Sequence, residues 1–129
     1  MYEIRCSAIC KTVSTPYVLV DEEKGYMKFE GRCFFENVGI FFKEINDWLD
    51  EYLATDFKLF TFDNELSYFN SSTTKLMFNM LMKMDKHSTE ENKVIVNWIT
   101  SDDNDIMIEC GEDFREETEN LEFNIIINR

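Results

Sequence analysis

A chain of 129 residues, 44% hydrophobic and 15% aromatic with twelve Phe, carries enough apolar material for one domain that folds without staples. Its 26 acidic residues against 13 basic ones give a formal net charge of −13. Such a surface repels phosphate backbones and anionic headgroups, which excludes nucleic-acid binding and membrane-surface binding from the expected functions.

Repeats, low-complexity tracts and Pro/Gly/Ser-rich linkers are absent from the sequence, so residues 1–129 read as a single domain. The opening "MYEIRCSAICK" has charges where a signal peptide needs its apolar core, and no run of 18 apolar residues occurs. A soluble, cytoplasmic protein is the expectation. Tyr2 to Lys11 alternates loosely and predicts a first strand. Pro16 introduces a second, "YVLVD", which ends at the acidic turn "DEEKG"; Gly25 then opens "GYMKFEG" as its hairpin partner. From Asn37 the period changes. Val38, Ile40, Phe41, Ile45, Trp48, Leu49, Tyr52 and Leu53 recur at helical spacing, predicting an amphipathic helix capped by Asn37. Phe57 to Phe69 reads as the next strand.

A second helix covers about Ser72 to His87. Between Leu76 and Leu81 only Asn79 is polar, so both flanks of this helix should be covered. "KVIVNWIT", Lys93 to Thr100, is the cleanest strand pattern and apolar enough to lie inside a sheet. Asp102 or Asp103 is the expected cap of a third helix running to about Thr118, with Gly111 inside it as a weak point. "FNIII" closes the chain as a strand. Strands first, then strand and helix in alternation, predict a mixed α/β domain in layers.

Enzyme signatures do not appear: there is no Gly-rich phosphate loop, no H-E-x-x-H and no G-x-S-x-G. The one His, His87, lies far in sequence from Cys6, Cys10, Cys33 and Cys110, and those cysteines lack C-x-x-C spacing. They read as small apolar residues, with no metal or cofactor implied. "DDNDIM" from Asp102 begins like a calcium loop but puts Ile106 where an oxygen ligand belongs and Met107 where Gly is required. Glu112 and Asp113 are adjacent on a helix and point apart, which suits solvated carboxylates better than acid/base work. Ten acids between Asp102 and Glu122 make either a solvated face or a surface for a basic partner.

The densest cluster of hydroxyls, Ser71 to Thr74, stands where the strand "LSYF" meets the second helix. Two readings follow from the residues. Ser and Thr at helix starts are caps, stabilising by about 1 kcal/mol. A hydroxyl there is also placed to carry a phosphate, because orphan N–H groups and the positive end of the helix dipole favour an anion. Lys75, one turn on, is within reach of such a group. Met77, Met80, Met82 and Met84 occur at odd and even spacings, so some belong to the core and one side, with Met80 and Met84, is expected to line a partner groove.

Taken in order, "STP" (Ser14 to Pro16), "GRCFFEN" (Gly31 to Asn37), Phe41 and Phe42 with Trp48 and Leu49, "YFNSSTTK" (Tyr68 to Lys75) and "ECGEDF" (Glu109 to Phe114) resemble the SiaC family of bacterial regulatory phosphoproteins. The resemblance implies a single-domain STAS-like fold, similar to anti-sigma-factor antagonists, with a mixed sheet and about three helices. It implies a non-enzymatic partner-switching protein of cyclic-di-GMP signalling. The Ser or Thr after the Asn that opens helix two would be phosphorylated by a Ser/Thr protein kinase and dephosphorylated by a PP2C-type phosphatase. The unphosphorylated form would bind and activate a GGDEF-type diguanylate cyclase. On this sequence the matching position is Ser71, with Ser72 and Thr73 as neighbouring alternatives, and Asn70, Lys75, Met80 and Met84 are the expected partner-binding residues. The alternative is a small-molecule-sensing STAS-like domain whose apolar pocket is lined by Phe34, Phe35, Phe41 and Phe42.

Overall fold

The computed structural model describes residues 2–5 and 15–128. Six strands form one sheet in chain order: β1 (Tyr2–Arg5), β2 (Tyr17–Asp21), β3 (Tyr26–Cys33), β4 (Leu59–Phe69), β5 (Lys93–Ser101) and β6 (Glu122–Asn128). The first three pair antiparallel. Pairs β3–β4, β4–β5 and β5–β6 are parallel and are bridged by α1 (Val38–Leu53), α2 (Ser71–His87) and α3 (Asp105–Glu117). The layered mixed α/β domain expected from the sequence is present. The remainder of the expected first strand, residues 6–11, lies outside the described residues, and so do Cys6, Cys10 and Ser14.

Burial shows why the fold has two layers. Phe60, Phe62, Asn64 and Leu66 of β4 and Val94, Val96, Trp98 and Thr100 of β5 are buried, whereas the alternate residues are half-exposed. One face of the sheet therefore carries the helices and the other stays open. On the open face, Lys28, Asp63, Asn97 and Asn124 lie side by side across four strands. Asn97 donates to Asp63 at 2.9 Å, Asn124 donates to Asn97 at 3.1 Å, and the Tyr26 hydroxyl donates to Asp63 at 2.7 Å. Burial, followed by that bond to Asp63, raises the Tyr26 phenol above its ordinary range.

The inner face is aromatic. Phe29 touches Phe41, Phe42 and Phe62, with centroids 5.7, 6.1 and 5.0 Å away. α2 lies between α1 and α3, so both its flanks are covered as its composition requires: Lys83 pairs with Asp50 of α1 at 2.7 Å, and Phe78 packs on Phe114 of α3 at 6.1 Å. Asp85, at the end of α2, is buried, and its Oδ1 accepts the amides of Glu119, Asn120 and Leu121 at 3.0, 2.7 and 3.0 Å. That carboxylate pins the turn into β6.

Several boundaries and phases differ from the sequence reading. Asn37 occupies the cap position of α1, but its side chain makes no capping bond; its carbonyl accepts from Ile40 and Phe41 instead. Ile40, assigned to the apolar face, is 63% exposed, because it lies about 200° around the helix from Val38. The cap of α3 is Asn104, not Asp102 or Asp103: its Oδ1 accepts the Met107 amide at 3.3 Å, while Asp103 takes the Ser101 hydroxyl. Phe57 and Phe60 cannot share a strand phase, since they are an odd number of residues apart. Lys58, with φ 69°, turns the chain between them, and β4 starts at Leu59.

Gly111 is not a weak point. It is buried where α3 crosses Trp98, and a Cβ there would stand inside the indole ring's van der Waals envelope. Trp98 is itself fully buried and donates its Nε1–H to the Met107 carbonyl at 2.9 Å, so it has no room to yield. Helix propensity favours Ala over Gly by about 1 kcal/mol, but overpacking typically costs 1–3 kcal/mol and more when the neighbour is fixed. Net of that propensity gain, Gly111→Ala is expected to lower the free energy of unfolding by up to about 2 kcal/mol, read from urea denaturation.

Candidate functional site

The junction between β4 and α2 is set by a bulge. Leu66 pairs with Gly31 and Tyr68 with Arg32, which leaves Ser67 as an extra residue in β4. Gly31 takes φ 103°, a conformation that L side chains rarely adopt, and its carbonyl accepts the Ser67 hydroxyl at 3.3 Å. The extra residue reverses the alternation. Leu66 and Phe69, three apart, both point into the core, and Tyr68 turns outward to 42% exposure.

Asn70 follows in extended conformation (φ −87°, ψ 178°) and caps α2: its Oδ1 accepts the Thr73 amide at 3.1 Å. Its carbonyl accepts the Thr74 amide and the Thr74 hydroxyl, each at 3.0 Å. Thr73 is fully buried, and its single hydroxyl proton is shared between the Cys33 carbonyl at 3.3 Å and Asn70 Oδ1 at 2.9 Å. The first turn of α2 is thereby fastened to the end of β3. Burial pushes the Cys33 thiol up to about 12, against a smaller lowering effect from Thr73, and pushes Cys110 up to about 11 with help from Asp113.

The four hydroxyls thus divide. Thr73 and Thr74 are consumed by structure. Ser71 and Ser72, the first two residues of the helix, are exposed, and among the described residues their hydroxyls have no hydrogen-bond partner. Neither serves as the cap, because Asn70 does. Their own backbone amides are orphan donors of the helix start that the Asn70 side chain does not take. Among the candidate acceptors, Thr73 is removed by its burial, which corrects its place as a third alternative. Lys75 is exposed and has no ion pair among the described residues.

Met80 and Met84 are corrected too. Both are fully buried with Met77 and Leu81 beneath α2, so they fill the core and present no groove to a partner. Positions 77, 80, 81 and 84 follow the helical repeat, and the odd-and-even spacing of the methionines reflects that period. The aromatic pocket of the alternative reading is likewise filled: Phe41 and Phe42 are 3% and 0% exposed and pack on each other at 5.2 Å, while Phe35 covers Phe41 at 5.9 Å.

Periodicity alone does not reveal a further group at this junction. The pairing of Arg32 with Tyr68 brings the Arg32 guanidinium over two rings, 5.1 Å from the Phe34 centroid and 5.3 Å from that of Tyr68. The rings meet edge to face at 5.4 Å. Each residue lies in a segment that the sequence marks, "GRCFFEN" and "YFNSSTTK", but only strand register shows that the segments meet. Among the described residues no group of three His, Cys, Asp or Glu is placed to hold a metal, and no helix is long and apolar enough to cross a membrane.

The result is a layered α/β domain that displays, at a capped helix start, two serines whose hydroxyls have no partner among the described residues. The model of the SiaC family of regulatory phosphoproteins matches residues 9–128, and this chain belongs to that family. It is similar to apo-SiaC from Pseudomonas aeruginosa, with 26% identity, TM-score 0.79 and complete coverage of both chains. A chain in the crystal structure of the diguanylate cyclase SiaD in complex with its activator SiaC, from the same organism, matches at TM-score 0.85 and 28% identity, covering 93% of this chain and 98% of that one. An uncharacterised protein of P. aeruginosa strain UCBPP-PA14 is 28% identical over 106 residues, 82% of this chain and 84% of that protein.

Two outcomes test the assignment of roles at the junction. Asn70→Ala should cost about 1 kcal/mol, whereas Ser71→Ala and Ser72→Ala should change stability by less than about 0.5 kcal/mol, as measured by chemical denaturation. The thiols supply a pH signature. Their folded values exceed the ordinary 9.0, so the folded state holds protons that the unfolded state has lost. Stability should be intact below about pH 9 and fall as pH climbs toward the folded values, and peptide-resolved alkylation at pH 8 should leave Cys33 unlabelled until the protein unfolds.

Proposed function

We propose that this protein is a phosphorylation-controlled binding module that regulates a diguanylate cyclase in the cytoplasm, with Ser71 as the phosphoacceptor. The observation that carries the reading is the exposed, unbonded Ser71 hydroxyl at the first residue of α2, in a member of a family of regulatory phosphoproteins. The cyclase as partner rests on the complex of the related SiaC with SiaD, of which SiaC is the activator. The protein acts by binding and not by catalysis. A Ser/Thr kinase adds the phosphate and a PP2C-type phosphatase removes it.

The chemistry at Ser71 favours a local switch. A phosphate there meets the orphan amides of Ser71 and Ser72 and the positive end of a 17-residue helix, and Lys75 is one turn away. It adds a charge of about −1.5 to −2 and three acceptor oxygens. The first turn is already fixed by Asn70 and by the Thr73 bond to Cys33, so the phosphate has no unfolded segment to order. Its effect falls on the surface. A partner that packs dry against the start of α2 meets a hydrated dianion after modification. Ser72 is the second exposed hydroxyl, one position further into the helix.

The reading is tested by mass spectrometry and a binding titration. Protein from its native cell should carry a phosphate on Ser71 under some growth condition. A purified diguanylate cyclase of the same organism should bind wild type and Ser71→Ala alike, and Ser71→Glu or phosphorylated protein at least about tenfold more weakly, a difference of about 1.4 kcal/mol. Equal binding by all forms would return Ser71 to an inert surface position.

A further inference from the structure

We propose that Arg32, lying across the rings of Phe34 and Tyr68, is the anchor for a carboxylate side chain of the regulated enzyme; this rests on the binding role proposed above and names the surface that performs it. The first observation is an unmet set of donors. A guanidinium carries five N–H groups and is always charged. Arg32 is exposed, and among the described residues its side chain makes no ion pair and no hydrogen bond, although the chain has 26 carboxylates. Among the described residues Lys28, Lys43, Lys58, Lys83 and Lys93 each pair with an acid, whereas Lys24, Lys75, Lys86 and Arg115, like Arg32, make no ion pair; Arg32 differs from those four in lying over two rings. Arg32 is held by rings in place of an acid, at 5.1 and 5.3 Å.

That arrangement is suited to binding. Contact with two aromatic rings restricts the exposed side chain, so less rotamer freedom is lost when a carboxylate arrives. Exposed Tyr and Arg are also the residue types that dominate interface energies when a partner covers them. The rings supply the apolar floor and the guanidinium a bidentate donor for a planar anion.

Position ties the anchor to the switch. Arg32 is paired in register with Tyr68, three residues before Ser71, and the neighbouring Cys33 carbonyl accepts the Thr73 hydroxyl from the first turn of α2. A protein that covers Arg32 and Tyr68 therefore comes to rest beside the start of α2. Charge selects the class of partner: a net charge of −13 disfavours a nucleic-acid phosphate backbone, while a single carboxylate within a protein surface needs only the local cation.

The test is calorimetric titration of a purified diguanylate cyclase of the same organism with full-length wild type, Arg32→Gln, Arg32→Lys and Tyr68→Leu, each checked for an unchanged melting temperature. Arg32→Gln should weaken binding about thirtyfold or more, the threshold of an interface hot spot. Arg32→Lys should recover only part of the loss, since an ammonium lacks the planar fork, and Tyr68→Leu should show an intermediate loss. Binding by Arg32→Gln within about twofold of wild type would overturn the anchor while leaving the regulatory reading intact. Failure of wild type itself to bind would overturn both.

Discussion

The single extra residue at Ser67 is the constraint from which the functional end of the molecule follows. In a regular strand Leu66 and Phe69 would face opposite sides of the sheet, and one of them would leave the core. The bulge lets both stay buried, turns Tyr68 outward beside Arg32, and delivers Asn70 in the extended conformation that a helix cap requires. The bulged residue is fastened on two sides: its hydroxyl donates to the Gly31 carbonyl, and its carbonyl accepts the side-chain amide of Asn104, the cap of α3, at 2.9 Å. Two helix caps and two strands thus meet at one backbone irregularity. Such irregularities recur beside functional sites because they re-aim side chains without disturbing the layers beneath.

In the function proposed above, the fastening of that end would let a surface hydroxyl act as a switch without a hinge. Thr73 spends its hydroxyl on β3 and on the cap, while the Met77, Met80, Leu81 and Met84 row seals the helix onto the sheet. Asp85 locks the far end of the same helix to the turn into β6. A helix held at both ends and along one face is expected to stay in place if a charge is added to its first residue; only the character of the surface would then change, from small neutral hydroxyls to a hydrated dianion.

Much of this was legible in the sequence. Helix and strand periods placed the elements, because burial on one face imposes alternation on strands and a 3.6-residue repeat on helices. The start of α2 was legible to within a residue, while the choice of Ser71 among the four hydroxyls came from the family resemblance and not from local pattern. What escaped were features decided by partners distant in the chain. Met80 and Met84 looked free to face outward because composition cannot show which side of α2 meets the sheet. Gly111 looked like a flaw because Trp98, thirteen residues away, gives it its reason. Asn104 displaced Asp102 and Asp103 as a cap because its amide has a second bond to make, to Ser67. The Arg32 cluster required knowing that β3 and β4 run parallel with a one-residue slip, which no local pattern encodes.

The central claim is that modification at Ser71 alters a surface and leaves the fold as it is. The most direct measurement is a comparison of amide ¹⁵N–¹H spectra and native-state hydrogen exchange for the protein with serine and with phosphoserine installed at position 71. The account predicts shift changes confined to the start of α2, the Cys33–Asn37 segment and Arg32, with exchange protection in β4, β5 and the body of α2 unchanged. Changes that spread through the sheet, or lost protection along α2, would contradict it and would make the switch a conformational one.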